Sequence, residues 1–265
     1  MTAGSGFNIL IFMPENMNEV VIEAEQAAVL EEMAKAGVLY GRKKSKTNPK
    51  MAKYIHTVRN GVAIFDLTET LSAIDAVAAF LKEIAQKGGK LLLVGAQSAA
   101  KDVIKRLADK FGFPYVTERW LGGTLTNFKT LSKRIDYYLK LKTDRATGKL
   151  EKYTKKERLG FDREIERMEK FFGGLEKLNK LPEVLLVVDT VFHDAAVREA
   201  NRLKIPVIGI MNSDSNPDSI QYPIPANTGA RPSVIWVLEK LEKAIEEGKT
   251  LAATVPKPET LNPKS

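Results

Sequence analysis

Cysteine is absent from the 265 residues, and that one absence excludes disulfide scaffolds, cysteine-ligated zinc, iron–sulfur clusters and thiol nucleophiles. Histidine is nearly absent. His56 and His193 are the only two, far apart and without ligand spacing, so a histidine metal site or a Ser-His-Asp centre has no material to draw on. No apolar run approaches the roughly 20 residues that span a bilayer, and no membrane contact is expected. Residues 1–34 contain six glutamates and no lysine or arginine, the reverse of a signal or transit peptide, so the cytoplasm is the expected compartment. Hydrophobic residues make up 44% of the chain, enough to build a core and to exclude wholesale disorder.

Positive charge is in excess and unevenly placed. The chain has 41 Lys and Arg against 33 Asp and Glu, a net +8. Residues 1–34 carry −6, residues 35–60 carry +8 with no acid, and residues 129–180 hold sixteen cations against nine acids. Two segments thus hold all the positive excess, the footprint of a local polyanion contact rather than of a uniformly basic coat.

The near-neutral remainder alternates between two periodicities. Val62–Asp66, Lys90–Gly95, Val184–Asp189 and Pro206–Met211 are short aliphatic runs of the kind buried on both faces of a parallel sheet, with Pro114–Thr117 and Tyr222–Ile224 as weaker strands. Helical spacing joins Leu71, Ile74, Val77, Phe80, Leu81 and Ile84, closed by Gly88-Gly89. Further helices are expected over Ala100–Phe111, from an Asp194 cap through Leu203, and over Pro232–Glu247. Strands alternating with helices imply parallel pairing and right-handed crossovers, hence an α/β three-layer sandwich over residues 37–128 and 181–248.

Three segments stand apart. Residues 1–36 form an acidic extension, with an amphipathic helix expected over 18–36 through Val21, Ala24, Ala28, Leu30 and Met33. In residues 129–180, Phe128, Leu131, Ile135 and Tyr138, then Phe161, Ile165, Met168, Phe172 and Leu175, step by threes and fours. That seam predicts an inserted antiparallel helical hairpin turning over Thr143–Thr154, with Gly173-Gly174 at a bend or the end of its second arm. The Pro-containing tail from residue 249 is expected to be disordered.

An α/β sandwich raises the possibility of a nucleotide site. The Gly95-Ala96-Gln97-Ser98 turn has one glycine where a dinucleotide fingerprint needs three, and no Gly-Lys-Ser/Thr of a phosphate loop. Asn212–Asp218 begins like a calcium loop but lacks the central glycine and carries Pro223 in place of the bidentate glutamate. Asp66, Asp189 and Asp214 fall at strand ends, so a nucleotide-binding α/β enzyme using the strand ends near Gly95, Asp189 and Asp214 is the alternative reading. No catalytic residue, metal ligand set or cofactor is expected.

The basic segments carry more. In Gly41–Lys53 the cations Arg42, Lys43, Lys44, Lys46, Lys50 and Lys53 are interleaved with Ser45, Thr47, Asn48 and Pro49. Proline presets the loop and the short polar residues donate to phosphate; Arg59 extends the set, and Tyr40 and Tyr54 flank it as candidate stacking platforms. Arg119 and Trp120, both expected to contact RNA, precede Gly122-Gly123, a tight turn, and Thr124, Thr126 and Asn127 extend that expected contact at a helix start, a natural anion site. Lys129, Lys133 and Arg134 continue it, while Trp120, Leu121, Leu125 and Phe128 are placed to anchor the hairpin on the sheet.

These residues resemble a known family. Asn48-Pro49-Lys50-Met51, Arg59-Asn60-Gly61, Phe65-Asp66-Leu67, Arg119-Trp120-Leu121-Gly122-Gly123, Leu125 through Thr130, Val188-Asp189, Val197 through Ala200 and Asp214 through Asp218 are similar to motifs of the universal small-subunit ribosomal protein two family, in its bacterial form. The resemblance covers roughly residues 30–248. It implies a flavodoxin-like domain with a five-stranded parallel sheet and a coiled-coil hairpin. It also implies a structural role in the small ribosomal subunit, with ribosomal RNA and neighbouring proteins, including ribosomal protein one, as partners, and no homo-oligomer. The sequence departs from the family at Leu39-Tyr40-Gly41-Arg42, where the family has His-Phe-Gly-His, so no role of those histidines carries over.

Overall fold

A computed structural model describes residues 17–254, with side chains described over 26–252. The expectations for residues 1–16 and for the tail beyond 254 lie outside the described residues.

The chain begins with helix α1 (Met17–Lys35). Strands β1 (Tyr40–Lys43), β2 (Ile55–Arg59) and β3 (Val62–Phe65) follow, then α2 (Leu67–Gln86), β4 (Leu91–Val94), α3 (Lys101–Phe111) and β5 (Tyr115–Val116). Helices α4 (Phe128–Ala146) and α5 (Lys155–Phe172) precede β6 (Val184–Val188), α6 (Asp194–Arg202), β7 (Val207–Met211), β8 (Tyr222–Pro225) and α7 (Arg231–Thr254). Five strands pair in parallel in the order β5-β4-β6-β7-β8. Counted along this sheet the order is 2-1-3-4-5, that of the flavodoxin fold.

Why these runs make a buried sheet is visible residue by residue. Leu91 and Leu93 point into a core shared with Ile74, Val77 and Leu81 of α2, Ile104 and Leu107 of α3, and Val234, Leu238 and Leu241 of α7. Leu92 and Val94 point the other way, toward Ala196 and Val197 of α6 and the inner residues of α4 and α5. Alternation of side chains along a strand thus feeds two cores, and helices cover both faces of the sheet. The two weakly patterned strands take the edges, where β8 tolerates Pro223 and Pro225 because an edge strand leaves one side of its backbone unpaired.

One strongly patterned run does not join this sheet. The segment expected as the parallel strand Val62–Asp66 is β3, the centre of a separate antiparallel sheet ordered β1-β3-β2. The reason is local. Asn60 and Gly61 both take positive φ, 51° and 74°, the two-residue type I′ turn whose twist folds β2 directly back on β3. Asp66 is a helix cap rather than a strand-end ligand: its carboxylate accepts from the Thr68 N–H at 2.9 Å and opens α2.

Helices α4 and α5 are joined by residues 147–154, and α5 opens on a reciprocal cap between Thr154 and Glu157. Arg145 near the end of α4 pairs with Asp162 near the start of α5 at 3.0 Å, so the two run antiparallel. Leu131, Ile135 and Tyr138 face Ile165, Met168 and Phe172 in the core beneath the sheet. Gly174 ends the second arm for a packing reason: a Cβ there would sit 2.3 Å from the Tyr115 carbonyl oxygen. Two boundaries differ from expectation. Helix α7 continues to Thr254 rather than giving way to a tail at 249, because Gly248 lets its backbone lie against α2, where a Cβ would meet the Lys82 carbonyl oxygen at 2.6 Å. His193, not Asp194, occupies the cap position of α6. Of the expected apolar face of α1, Leu30 and Met33 pack on the core, Ala28 is exposed with Val29 packing beside them, and the side chains of Val21 and Ala24 lie outside those described.

Candidate nucleic-acid interface

The acid-free segment is a pinned loop rather than a solvated tether. Asn48 donates its backbone N–H to the Ser213 carbonyl at 2.8 Å, and the Arg42 N–H donates to Ser213 Oγ at 2.8 Å. The Asn48 side chain accepts from the Lys50 N–H at 3.0 Å and starts a 3-10 turn with Pro49 in its first position. Met51 and Tyr54 on that turn are buried. Anchors at both ends and beneath leave Lys43, Lys44, Lys46 and Lys53 at the surface.

Not every expected contact is presented. Lys43, Lys44, Lys46 and Arg59 are exposed and, among the described residues, have no ion-pair partner. Lys53 lies over the Tyr54 ring at 4.7 Å from its centroid. Lys50 pairs with Asp218. Arg42 is drawn inward, its guanidinium between Asp214 at 3.5 Å and Asp189 at 3.6 Å. Tyr40 is half exposed, whereas Tyr54 is interior and does not stack on an outside base, because the apolar ring is what holds the loop down.

The second segment holds the larger correction. Trp120 and Thr124 are 7% and 1% exposed, so neither offers a surface to RNA. Trp120 Nε1 donates to Glu199 of α6 at 3.0 Å, and Thr124 Oγ1 donates to the Leu121 carbonyl at 2.6 Å. The same Glu199 carboxylate accepts from the backbone N–H groups of Gly123 at 2.8 Å, Leu125 at 3.0 Å and Thr126 at 3.1 Å, and from the Thr126 hydroxyl at 3.2 Å. The anion site read from the Gly-Gly turn exists, and its anion belongs to the chain. Burial by itself raises the Glu199 carboxyl, but the hydrogen bonds from Trp120, Thr126, Gly123 and Leu125 outweigh it and hold the group below the ordinary carboxylate range. This residue escaped sequence reasoning; the signal was a lone acid between the buried Val197 and Ala200 on an otherwise apolar helix face. Locking the turn leaves Arg119, Thr126, Asn127, Lys129, Lys133 and Arg134 exposed at the foot of α4.

At the carboxyl ends of β4 and β6, where open α/β sheets receive ligands, the chain fills much of the crevice itself. Asp189, held at φ 67° and buried, accepts from Gln97 Nε2, from the Thr228 hydroxyl at 3.0 Å and from the Phe192 N–H at 3.0 Å. His193 Nε2 accepts from the Ala96 N–H at 3.0 Å, and burial pushes its imidazole down to about 4 against the opposing pull of Asp189. Gly95 serves helix packing: a Cβ would lie 2.9 Å from Ile104 of α3. Among the described residues no group of three or more His, Cys, Asp or Glu is placed to hold a metal ion.

The family model described as ribosomal protein S2 matches residues 33–248. This chain belongs to that family. Within S2 relatives, it is 39% identical over 211 residues to the small ribosomal subunit protein uS2 of Thermus thermophilus, covering 80% of this chain and 82% of that protein. It is 41% identical over 223 residues to the uS2 of Dictyoglomus thermophilum, covering 84% and 91%. S2 proteins are structural rather than enzymatic. The matched region begins at Met33, leaving the acidic start of the chain outside it. Among the described residues no helix is long and apolar enough to cross a membrane.

Proposed function

We propose that the chain is a cytoplasmic component of the small ribosomal subunit that grips ribosomal RNA through the pinned loop and the foot of α4. The observation that carries this reading is the row of cations without an ion-pair partner among the described residues, Lys43, Lys44, Lys46 and Arg59, beside a loop fixed at Ser213 and anchored by Met51 and Tyr54. A loop backbone already held in place loses little conformational entropy on meeting phosphates, and each phosphate neutralised releases counterions. Arg119, Lys129, Lys133 and Arg134 supply a second, parallel contact, positioned by Glu199 through the turn it closes. Arg42 and Lys50 act mainly within the protein, as ion-pair partners of Asp189, Asp214 and Asp218. Contact with neighbouring small-subunit proteins, and support for docking ribosomal protein one, complete the role expected from the resemblance.

If about six phosphates are neutralised, log affinity for ribosomal RNA falls with log salt at a slope of roughly −4 to −5. The triple variant K43E/K44E/K46E keeps its fold, because all three side chains are exposed, and is expected to be missing from small subunits on a sucrose gradient. Finding it there at wild-type stoichiometry, or measuring a flat salt response, refutes the reading.

A further inference from the structure

Among the described residues, nothing covers one face of the small antiparallel sheet. Opposed residues across antiparallel strands share a face, and the register sets Tyr40 against Ile64, Ile64 against Thr57, and Val62 against Arg59. The alternate residues of β3, Ala63 and Phe65, are buried on the inner side. Tyr40, Thr57, Arg59, Val62 and Ile64 therefore look outward together, and with Leu39 and Asn60 they line an open depression of about 450 Å³. Its floor is aliphatic, Val62 and Ile64 being half-buried, and one wall is the Tyr40 ring, 50% exposed.

The rim is polar and cationic. Arg59 has no ion-pair partner among the described residues, and Thr57 and Asn60 offer a hydroxyl and an amide. Lys44, whose N–H donates to the Gly61 carbonyl at 2.8 Å, stands at the same end of the sheet beside the Asn60-Gly61 turn. Residues 35–60 contain no acid at all. A flat ring beside an aliphatic floor accepts the face of a planar apolar group, and the surrounding cations require that group to carry negative charge. A base-paired duplex keeps its base faces stacked inside, whereas an unpaired nucleotide offers one face and a phosphate together.

We propose that this sheet face seats a single unpaired nucleobase of an RNA strand, with the ring stacked on Tyr40 and its phosphate directed to Arg59 and Lys44. The proposal rests on the RNA-binding reading above and adds the chemistry of one subsite to it. Recognition there depends on a base being free to leave its stack rather than on its identity, because every base has a ring face and the floor carries no fixed donor pattern.

The test uses the full chain and a short single-stranded RNA carrying the fluorescent base 2-aminopurine, with the fully paired duplex of the same sequence as comparison. The wild-type protein is expected to quench the fluorescent base in the single strand and not in the duplex. Y40A should weaken single-strand binding about tenfold and abolish the quench, and Y40F should retain both. Because Y40A removes no charge, its salt slope should equal that of the wild type, and R59Q should lower the slope by about 0.7. Half-exposed Tyr40 makes little core contact, and thermal melting within a few degrees of the wild type shows that Y40A is folded. Unchanged affinity and quench in Y40A, with steep salt dependence intact, overturns the subsite and leaves the RNA reading standing. Absence of any salt-dependent RNA binding by the wild type overturns both. Loss of Y40A from small subunits, with no quench by the wild-type protein, assigns the face to a neighbouring protein and also overturns the proposal.

Discussion

The Glu199 carboxylate is the most exacting test of the reasoning, because one side chain satisfies a whole turn. It accepts hydrogen bonds from Trp120, Gly123, Leu125 and Thr126 at 2.8 to 3.2 Å. Replacing Glu199 by Ala leaves the buried Trp120 and Leu125 donors and the half-buried Gly123 N–H without a partner, whereas exposed Thr126 can turn to water. An orphaned buried donor costs about 1–3 kcal/mol. Since the donors share one acceptor, their costs do not add in full, and a loss of roughly 3–5 kcal/mol is expected. That is a large part of the stability of a domain this size. Urea unfolding followed by tryptophan fluorescence reads the midpoint and, in a W236F background that removes the second tryptophan, the environment of Trp120. The vacated cradle of N–H groups should then take an outside anion, so sulfate should restore stability to E199A beyond its effect on the wild type at equal ionic strength. RNA affinity should fall as well, through Arg119 and Lys129, which the turn positions. An E199A loss below about 1 kcal/mol, or no selective rescue by sulfate, would refute the claim that the chain's own carboxylate occupies this anion site.

Two further outcomes follow from other parts of the molecule. His193 is buried and its imidazole is held near 4 in the folded state against 6.5 in the unfolded chain, so the unfolded state binds the extra proton first as pH falls. Its contribution is intact above pH 6.5, declines toward pH 4 and amounts to about 3 kcal/mol; H193Q, which keeps an acceptor for the Ala96 N–H, should flatten the stability profile across that window, and a wild-type slope in the variant counts against the assignment. Two glycines on the hairpin should respond with opposite signs. G174A is expected to destabilise by about 3 kcal/mol, because its methyl would meet the Tyr115 carbonyl, and G160A, exposed within α5 with nothing near its Cβ, should stabilise by about 1 kcal/mol; calorimetric melting of the pair decides.

Reading the fold from sequence succeeded where burial is symmetric and failed where it is local. Leu91–Val94, Val184–Val188 and Val207–Met211 are apolar on both faces, and only the middle of a covered parallel sheet accommodates that. The run at Val62–Phe65 looks the same, yet the Asn60-Gly61 turn commits it to a hairpin within two residues, and turn chemistry dominated the hydrophobic pattern. The weak runs at Tyr115 and Tyr222 became edge strands because an edge needs few residues and tolerates proline. In the binding segments, the excess of cations was legible, but which of them face outward was not. Arg42 turns in because Asp189 and Asp214, nearly 150 and more than 170 residues away in sequence, meet beside it. Tyr40 and Tyr54 flank the loop alike in sequence, and only packing makes one a wall of a surface depression and the other an anchor.

By itself, the sequence determined composition, charge distribution and periodicity: no thiol chemistry, an acid-free stretch beside an acidic one, a buried parallel sheet, and motifs dense enough to point to one family. These are properties of residue type and spacing, which act along the chain. The tertiary structure alone decided partnership. It placed Glu199 in the Gly-Gly turn, Asp189 and His193 in the crevice, and an open sheet face beside the basic loop. Long-range pairing depends on which elements the folded cores bring together, and no local rule of spacing carries that information.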